Sequence, residues 1–353
     1  MASIDELLKE MIAHHASDLH ITAGTHPYVR VHGDLIPLTN YKVLSNQETQ
    51  ALLFEILSEK QKKKFIETWE LDFAYSAEGI GRFRGNIFMQ KRGLGGVFRQ
   101  IPEKIKSAEE LGLPKSLIDL INCDKGLILV TGPTGSGKST TLAALIHYIN
   151  ANHSYHIITI EDPIEFVHKS IRSLVNQREV GSHTKSFNNA LESALREDPD
   201  VILVGELRDL ETISLALTAA ETGHVVFATL HTNSAAKTID RIIDVFPAAQ
   251  QQQVRVMLAE SLRGVIAQTL FRKADGSGRV VAFEIMKNTK AIGNLIREGK
   301  THQIPSAIQT GAKHGMVLFE KSIEELLRKG LITKADALAF LGKTEDELLT
   351  KVG

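Results

Sequence analysis

The segment Gly132-Pro-Thr-Gly-Ser-Gly-Lys-Ser139 constrains the fold of this chain more than any other feature, because it matches the pattern G-x-x-x-x-G-K-[ST]. An apolar run, Leu127–Thr131, precedes it, and a helical pattern, Thr141–His147, follows it. Glycines let backbone N–H groups point at phosphate oxygens where a Cβ would clash, and a helix N-terminus adds partial positive charge. The sequence therefore predicts a phosphate-binding loop between a strand and a helix.

Two residues of this loop have predicted roles of their own. Lys138 is expected to reach the β- and γ-phosphates of a nucleoside triphosphate, and the Ser139 hydroxyl is expected to bind Mg²⁺. ATP and Mg²⁺ are therefore the predicted cofactors. The residues predicted to contact the nucleotide are Gly132, Pro133, Thr134, Gly135, Ser136, Gly137, Lys138, Ser139 and Thr140.

Acidic residues follow two further apolar strands. Val201–Gly205 leads into Glu206, and Ile157–Ile160 leads into Glu161. Because ligands of open parallel sheets bind at the carboxyl ends of the strands, both carboxylates are expected near the phosphates. Glu206 is predicted to act as a metal ligand with Mg²⁺, and either acid is able to polarise the attacking water. Another strand ends before His231, which is a candidate sensor of the γ-phosphate.

The pattern of strands and helices changes near residue 100. At roughly 150 residues per domain, the 353 residues predict about two domains. Residues 1–101 alternate short strands with amphipathic helices, which is typical of a small α+β domain built on an antiparallel sheet. Residues 102–110, beginning with Pro102, are the predicted linker. Residues 111–353 alternate apolar strands with helices, as in a doubly wound α/β domain, and are mostly helical after about Gln250.

The composition excludes several classes of protein. Lys and Arg number 41 and Asp and Glu number 42, and the resulting net charge of −1 argues against binding of nucleic acid. Cys123 is the one cysteine of the sequence, which excludes a disulfide framework and a Cys-rich zinc site and favours a cytoplasmic location. No apolar run approaches the ~18–20 residues of a membrane span, and the first residues lack a signal-peptide layout. The histidines without metal-ligand spacing, predicted to be surface residues, are His14, His15, His153, His156, His168, His183, His302 and His314.

Several longer segments carry a resemblance to one family. Residues 195–209, Leu-Arg-Glu-Asp-Pro-Asp-Val-Ile-Leu-Val-Gly-Glu-Leu-Arg-Asp, resemble the Walker B signature of the ATPases of type II secretion and type IV pili. Residues 159–165 resemble the Asp box of that family, and residues 222–233 resemble its His box. Residues 17–22 and 29–34 resemble its small N-terminal domain, so the resemblance covers nearly the whole chain.

The resemblance implies a homohexamer whose subunits carry a PAS-like N-terminal domain and a RecA-like P-loop ATPase domain, with ATP bound between them. It implies that Glu161 assists the water, that Glu206 acts with Mg²⁺ and that His231 senses the nucleotide. Arg82 and Arg84 of the N-terminal domain would complete the stabilisation of charge, and alternation along a strand places both on one face. The implied partner is a pilus platform membrane protein. The motor would then lie at the cytoplasmic face of the inner membrane without inserting into it.

Within this family the chain is most similar to the retraction ATPases of type IV pili, which power twitching motility. It lacks the four-cysteine zinc insert that is typical of assembly and secretion ATPases, and it begins at the small domain. Residues 291–299 resemble a helix that is important for retraction, with Gly293 where some relatives have arginine. Three alternatives stay open: an accessory paralogue or an assembly ATPase of the same family, a RecA-like nucleic-acid translocase, and a nucleotide-gated scaffold without turnover.

Overall fold

The two parts of the chain with different strand patterns, the first antiparallel and the second mainly parallel, fold as separate units. The structure is a computed structural model, and it describes residues 3–31, 33–102 and 104–342. The chain divides into two compact units, Met1–Lys104 and Ile105–Gly353. The division falls inside the segment in which the sequence analysis places a linker.

The helices of the N-terminal unit begin at serine caps. The hydroxyl oxygens of Ser3, Ser45 and Ser58 each accept a hydrogen bond from the backbone N–H of the residue three positions later. The side chain of that residue in turn accepts a hydrogen bond from the serine N–H. The elements of this unit are α1 (Ile4–Ala13), β1 (Asp18–Thr22), β2 (Tyr28–Val31), β3 (Asp34–Pro37), α2 (Asn46–Phe54), α3 (Glu59–Thr68), β4 (Glu70–Ala77), β5 (Gly81–Gln90) and β6 (Gly93–Ile101). The helices α1 and α2 lie within the part of the chain, residues 1–101, for which helices were predicted. The helix α3 was not predicted from the sequence, because this lysine-rich helix buries Phe65 and little else and so lacks an apolar periodic pattern.

The strands of this unit form an antiparallel sheet in the order β3-β2-β1-β6-β5-β4. The strands β2 and β3 pair as an antiparallel hairpin, and Gly33 before β3 has a φ of +102°, a conformation that favours glycine. One face of the sheet packs with the helices into a core whose buried side chains include Leu8, Leu53, Phe83 and Phe98. The small α+β fold expected for this part of the chain is therefore present.

The C-terminal unit alternates helices with strands. Its elements are α4 (Lys115–Ile121), β7 (Gly126–Thr131), α5 (Lys138–Asn152), β8 (His156–Glu161), β9 (Leu174–Glu179), α6 (Phe187–Ala194), β10 (Val201–Val204), α7 (Leu210–Glu221), β11 (Val225–Leu230), α8 (Ala235–Asp244), α9 (Ala248–Ser261), β12 (Leu262–Arg272), β13 (Arg279–Lys287), α10 (Lys290–Arg297), α11 (Ile304–Thr310), α12 (Phe319–Arg328) and α13 (Lys334–Leu341). The strands lie in the order β13-β12-β7-β11-β10-β8-β9, and all neighbours are parallel except β12 and β13. This sheet confirms the predicted α/β class.

The central strands are buried along their whole length, which is why they appear in the sequence as apolar runs. Every residue of β7, β10 and β11 is buried, as expected for parallel strands that helices cover on both faces. Because β12, β7, β11, β10 and β8 run in the same direction, their carboxyl ends lie on one edge of the sheet. This edge carries the segments that the sequence analysis singled out.

Two features of the C-terminal unit differ from expectation. The strand β9 was missed, because its sequence mixes polar with apolar residues and it lies at the edge of the sheet, where burial is partial. His168 was predicted at the surface, but it is 9% exposed. The Gln177 side chain of β9 accepts a hydrogen bond from the His168 N–H at 2.7 Å and holds this loop against the strand. Burial, with a smaller contribution from nearby His147, lowers the pKa of His168 to about 4.

None of the helices in the described parts of the chain combines the length with the apolar character that a bilayer crossing needs. Within the same parts, no three His, Cys, Asp or Glu side chains approach one another closely enough to hold a metal ion.

Candidate nucleotide-binding site

The phosphate-binding loop joins β7 to α5 through glycines in conformations that other residues rarely adopt. Gly132, Gly135 and Gly137 have φ angles of +147°, +80° and +90°. A Cβ on Gly132 would lie 2.3 Å from the Gln268 carbonyl oxygen and 2.6 Å from the Ser136 hydroxyl oxygen, so this position has room for glycine alone. The loop therefore has the backbone geometry for which the glycines were predicted.

Lys138 is the first residue of α5 and folds back over the loop. Its Nζ donates hydrogen bonds to the carbonyl oxygens of Gly132 at 2.8 Å and Pro133 at 3.1 Å. Burial lowers the pKa of Lys138, and the nearby charge of Glu206 acts in the opposite direction. The ammonium group thus lies against the loop backbone, within the electrostatic influence of the carboxylate that follows β10.

Gln268 of β12 supports the loop from beneath, and the sequence analysis did not identify it. Its Nε2 donates to the Ser136 carbonyl oxygen at 2.7 Å, and the residue is 1% exposed. Its Oε1 and the Ser136 hydroxyl are buried without a hydrogen-bond partner in the described structure. Because buried polar groups are normally paired, these two atoms indicate a polar environment next to the loop. The sequence signal that could have identified Gln268 is the presence of a glutamine within an apolar strand pattern.

The strand β10 places Glu206 at the edge of the sheet. Beyond its last residue, the Gly205 N–H donates to the Ile160 carbonyl at 2.8 Å, and the Leu207 N–H donates to the Thr229 carbonyl at 3.0 Å. These bonds to both neighbouring strands hold the backbone on either side of Glu206. The carboxylate position therefore depends on the sheet and not on a free loop.

Glu206 lies between two basic side chains. Arg208 Nη2 approaches Glu206 Oε2 at 2.7 Å, and His231 Nε2 lies 3.3 Å from Glu206 Oε1. Burial raises the pKa of Glu206, but Arg208 and His231 outweigh it and hold the pKa below its usual value. Glu206 is therefore ionised at neutral pH. Arg208 was not singled out from the sequence, although it lies within the Walker B-like segment.

Glu161 has a different environment at the end of the next strand. Its carboxylate accepts hydrogen bonds from the Thr159 hydroxyl at 2.6 Å, the Gln177 Nε2 at 3.2 Å and the Glu165 N–H at 3.3 Å. Burial raises the pKa of Glu161 above its usual value despite these donors. No basic side chain contacts this carboxylate among the described residues, which distinguishes it from Glu206.

Arg82 and Arg84 lie in the N-terminal unit, on alternate residues of β5. Phe83 between them is buried in the core, so the two arginines share the opposite face of the strand. The structure thus brings Lys138, Glu206 and His231 together, with Glu161 on the adjacent strand. The two arginines belong to the other unit.

Two cavities adjoin the phosphate-binding loop. One, of about 430 Å³, is lined by residues 133–136 and by Arg272 and Arg279, which pair across β12 and β13. The other, of about 460 Å³, is lined by Pro133, His231 and residues of the C-terminal helices. The loop therefore has open space on either side.

The donors next to the loop fit a hard cation. The Ser139 hydroxyl is exposed on the first turn of α5, and the Glu206 carboxylate is ionised. Hydroxyl and carboxylate oxygens are ligands that Mg²⁺ accepts, so both side chains carry donor atoms of a suitable kind.

Comparisons with known proteins identify the family of this chain. The family model described as type II/IV secretion system protein matches residues 106–344. The type IV pilus retraction ATPase PilT of Pseudomonas aeruginosa is 56% identical over 334 residues, which cover 95% of this chain and 96% of PilT. The type IV pilus ATPase PilU of the same organism is 42% identical over 99% of this chain and 91% of PilU.

A solved structure is also similar over the whole chain. The crystal structure of the pilus retraction motor PilT with bound ADP superposes with a TM-score of 0.93 and 49% identity, and covers 99% of this chain and 100% of that one. Relatedness at this level over nearly the full length shows common descent. The chain belongs to the family of type II/IV secretion system proteins.

Proposed function

We propose that this chain is an ATP-hydrolysing motor that retracts type IV pili and so powers twitching motility. The observation that carries the proposal is the convergence of Lys138, Glu206 and His231 at the carboxyl edge of a sheet like that of PilT. The greater identity with PilT than with PilU favours the retraction motor over the accessory ATPase. The chain is an ATPase.

The loop and Lys138 bind the phosphates. In the described structure the Lys138 ammonium is bonded to two carbonyl oxygens of the loop, which are weaker partners than a charged phosphate. Bound ATP offers it the β- and γ-phosphate oxygens, while the loop N–H groups and the start of α5 face the same charge. The cavity beside Arg272 and Arg279 leaves space for the remainder of the nucleotide.

The acidic residues take separate roles in hydrolysis. Glu206, which is ionised, would hold Mg²⁺ together with the Ser139 hydroxyl. When bound, Mg²⁺ offsets the negative charge of the phosphates. Glu161 has a raised pKa and no basic partner among the described residues, which suits a base that orients water. His231 reports the state of the site through its contact with Glu206.

The mechanical output requires an assembly. We assign a homohexamer, in which Arg82 and Arg84 of the PAS-like N-terminal domain offset charge on the transferring phosphoryl group. The partner that receives the motion is a pilus platform membrane protein, at the cytoplasmic face of the inner membrane. Nucleic acid plays no part, in keeping with the net charge of −1.

Phosphate release from ATP tests the catalytic part of this proposal. Lys138→Ala should abolish turnover while the far-UV circular dichroism spectrum is retained, because the half-buried Lys138 side chain is not part of the hydrophobic core. Lys115→Ala, which alters an exposed lysine on α4, is the control and should leave turnover unchanged. Turnover by Lys138→Ala at the wild-type rate would contradict the proposal, and stimulation by single-stranded DNA would favour the translocase.

A deletion strain tests the biological part. Loss of a retraction motor should leave excess surface pili and no twitching, whereas loss of an assembly ATPase should leave few pili. Complementation with the wild-type gene should restore twitching, and the Lys138→Ala gene should fail to do so. A strain that lacks pili would contradict retraction as the function.

A further inference from the structure

Glu284 is a buried acid that has no role in the mechanism proposed above. It stands at the end of a row of paired residues that crosses the second sheet. Glu284 pairs with Ala267, Ala267 pairs with Thr131, and Thr131 pairs with Leu230 across four neighbouring strands. Thr131 is the last residue before the phosphate-binding loop, and Leu230 is the last before His231. Glu284 is 8% exposed and so lies inside the molecule, level with the exits of both strands toward the site.

The Glu284 carboxylate faces the starts of two helices. Its Oε1 accepts a hydrogen bond from the N–H of Ala235, the first residue of α8, at 2.8 Å. Burial raises the pKa of Glu284, and the backbone N–H groups of Ala235 and of Phe319, the first residue of α12, act in the opposite direction. Leu318, which precedes α12, provides no side-chain cap. The carboxylate thus satisfies an N–H group that has no partner within α8, and it faces the positive end of the dipole of each helix.

The helix α8 is itself bonded to both parts of the nucleotide-binding site. The Thr238 hydroxyl, which is fully buried, lies 2.7 Å from the Thr232 hydroxyl and 3.5 Å from that of Thr131. Thr232 follows His231, and Thr131 precedes the loop. A displacement of either segment therefore acts directly on the first turn of α8.

The helix α12 is attached to β13 by other bonds as well. Ile285 and Val317 exchange backbone hydrogen bonds of 2.7 and 3.0 Å, and the Ser322 hydroxyl accepts from the Phe283 N–H at 3.0 Å. Loss of the Glu284 carboxylate would leave these bonds in place. The contact that Glu284 adds is the one between the start of α12 and the start of α8.

We propose that Glu284 is a positioning residue of this ATPase, whose carboxylate joins α8 to α12 so that nucleotide-dependent movement of the loop and His231 reaches the C-terminal helices. The inference rests on the proposed function, since it requires nucleotide to bind. Phe319 of α12 and Phe340 of α13 line the same cavity as His231, so these helices border the site that they would respond to. Glu284 acts through Ala235 and Phe319 and does not contact the nucleotide.

Hydrogen–deuterium exchange of the full chain, with and without ADP, tests the inference. In the wild-type protein, ADP should slow exchange in residues 231–238 and also in residues 318–328. In Glu284→Ala the first effect should persist and the second should disappear, with the affinity for ADP changed by less than about threefold. Turnover of ATP should fall about tenfold at nearly constant KM.

Two further variants make the test specific. Glu284→Gln has one acceptor oxygen and places an amide N–H₂ against a donor, so its ADP-dependent protection of residues 318–328 should lie between wild type and Glu284→Ala. If Glu284→Ala does not fold, the glutamine variant decides the question. Thr333→Ala removes the hydroxyl that caps α13 by accepting from the Asp336 N–H, without touching α8, and should behave as wild type.

Three results would overturn the inference: no ADP effect on residues 318–328 in the wild-type protein, full retention of that effect in both Glu284 variants, or its loss in Thr333→Ala. Failure of the unsubstituted chain to bind ADP at all would instead contradict the proposed function, and this inference with it.

Discussion

At the scale of single residues, Glu161 and Glu206 show how surroundings separate two identical side chains. They follow neighbouring strands of the same sheet, but burial raises the pKa of Glu161, whereas Arg208 and His231 outweigh burial and lower that of Glu206. A carboxylate held ionised by two basic groups suits a cation, and a carboxylate with a raised pKa suits proton transfer. These opposite directions support the division of roles proposed here.

The dependence of kcat/KM on pH should show this division. Glu161 must be deprotonated to accept a proton from water, so activity should fall as the pH drops through its pKa, which lies above the ordinary value of 4.5. Glu161→Gln should lower kcat and remove this acidic limb. Glu206→Gln, the matched variant, should lower kcat while the limb persists. An unchanged acidic limb in Glu161→Gln would show that another group titrates there.

Two glycines of the phosphate-binding loop should differ in their tolerance of a methyl group. Gly132→Ala places Cβ 2.3 Å from a backbone oxygen and at a φ of +147°, and should destabilise the protein by about 2–4 kcal/mol. Gly135→Ala meets nothing within 4 Å, so only its φ of +80° opposes it, at about 1 kcal/mol. Urea unfolding of both variants measures the difference. Equal losses would mean that the loop relaxes around Gly132.

At the scale of secondary structure, the parallel strands and the helices around them carry different information. Every residue of the strands β7, β10 and β11 is buried, and their sequences are mainly apolar. Such a sequence indicates that the strand is buried, but it does not indicate which strands lie next to it. The sequence of a helix indicates which of its faces is buried. In α10 the buried residues are Ile292, Gly293 and Ile296.

Gly293→Ala should stabilise the protein. The residue lies within α10 without a positive φ, and a Cβ there would meet the Ala259 carbonyl and the Asn288 Oδ1 at ordinary contact distances of 3.5 Å. Alanine should therefore add about 0.5–1 kcal/mol through helix propensity, measured as a higher melting temperature. The control is Gly264→Ala in β12, where a Cβ would lie 2.5 Å from the Met286 carbonyl and should destabilise. A lower melting temperature for Gly293→Ala would reveal a close packing requirement.

At the scale of the whole molecule, the chain consists of two units with separate cores, and the residues proposed for hydrolysis come from both. The C-terminal unit holds the phosphate-binding loop, both acids and His231. The N-terminal unit holds Arg82 and Arg84. We therefore expect hydrolysis to require residues of both units and nucleotide binding to depend mainly on the C-terminal unit.

Replacing the two arginines should separate binding from turnover. Arg82→Ala and Arg84→Ala should each retain affinity for ADP, because the loop is intact, and lose up to about 10³-fold in kcat, because a guanidinium no longer offsets transition-state charge. Phosphate release and ADP titration measure the two quantities. Arg92→Ala, an exposed arginine in the turn after β5, is the control. Wild-type turnover in both test variants would remove these arginines from the mechanism.

The sequence by itself determined the phosphate-binding loop, the α/β class of the second unit and the acids that follow its strands. These features are local: a strand, its glycine turn and the next residue are contiguous in the chain, and burial on both faces leaves an apolar run that can be read directly. The lysine-rich α3 and the edge strand β9 were not predicted from the sequence, because neither buries enough apolar surface to leave a periodic pattern.

Only the tertiary structure decided which residues meet. Strand order placed Glu206 against His231 and brought Gln268 of β12 beneath the loop, although these residues are distant in sequence. It also set Glu284 between the starts of α8 and α12. The physical reason is that periodicity reports whether a side chain is buried, whereas its partner depends on how separate strands and helices pack against one another.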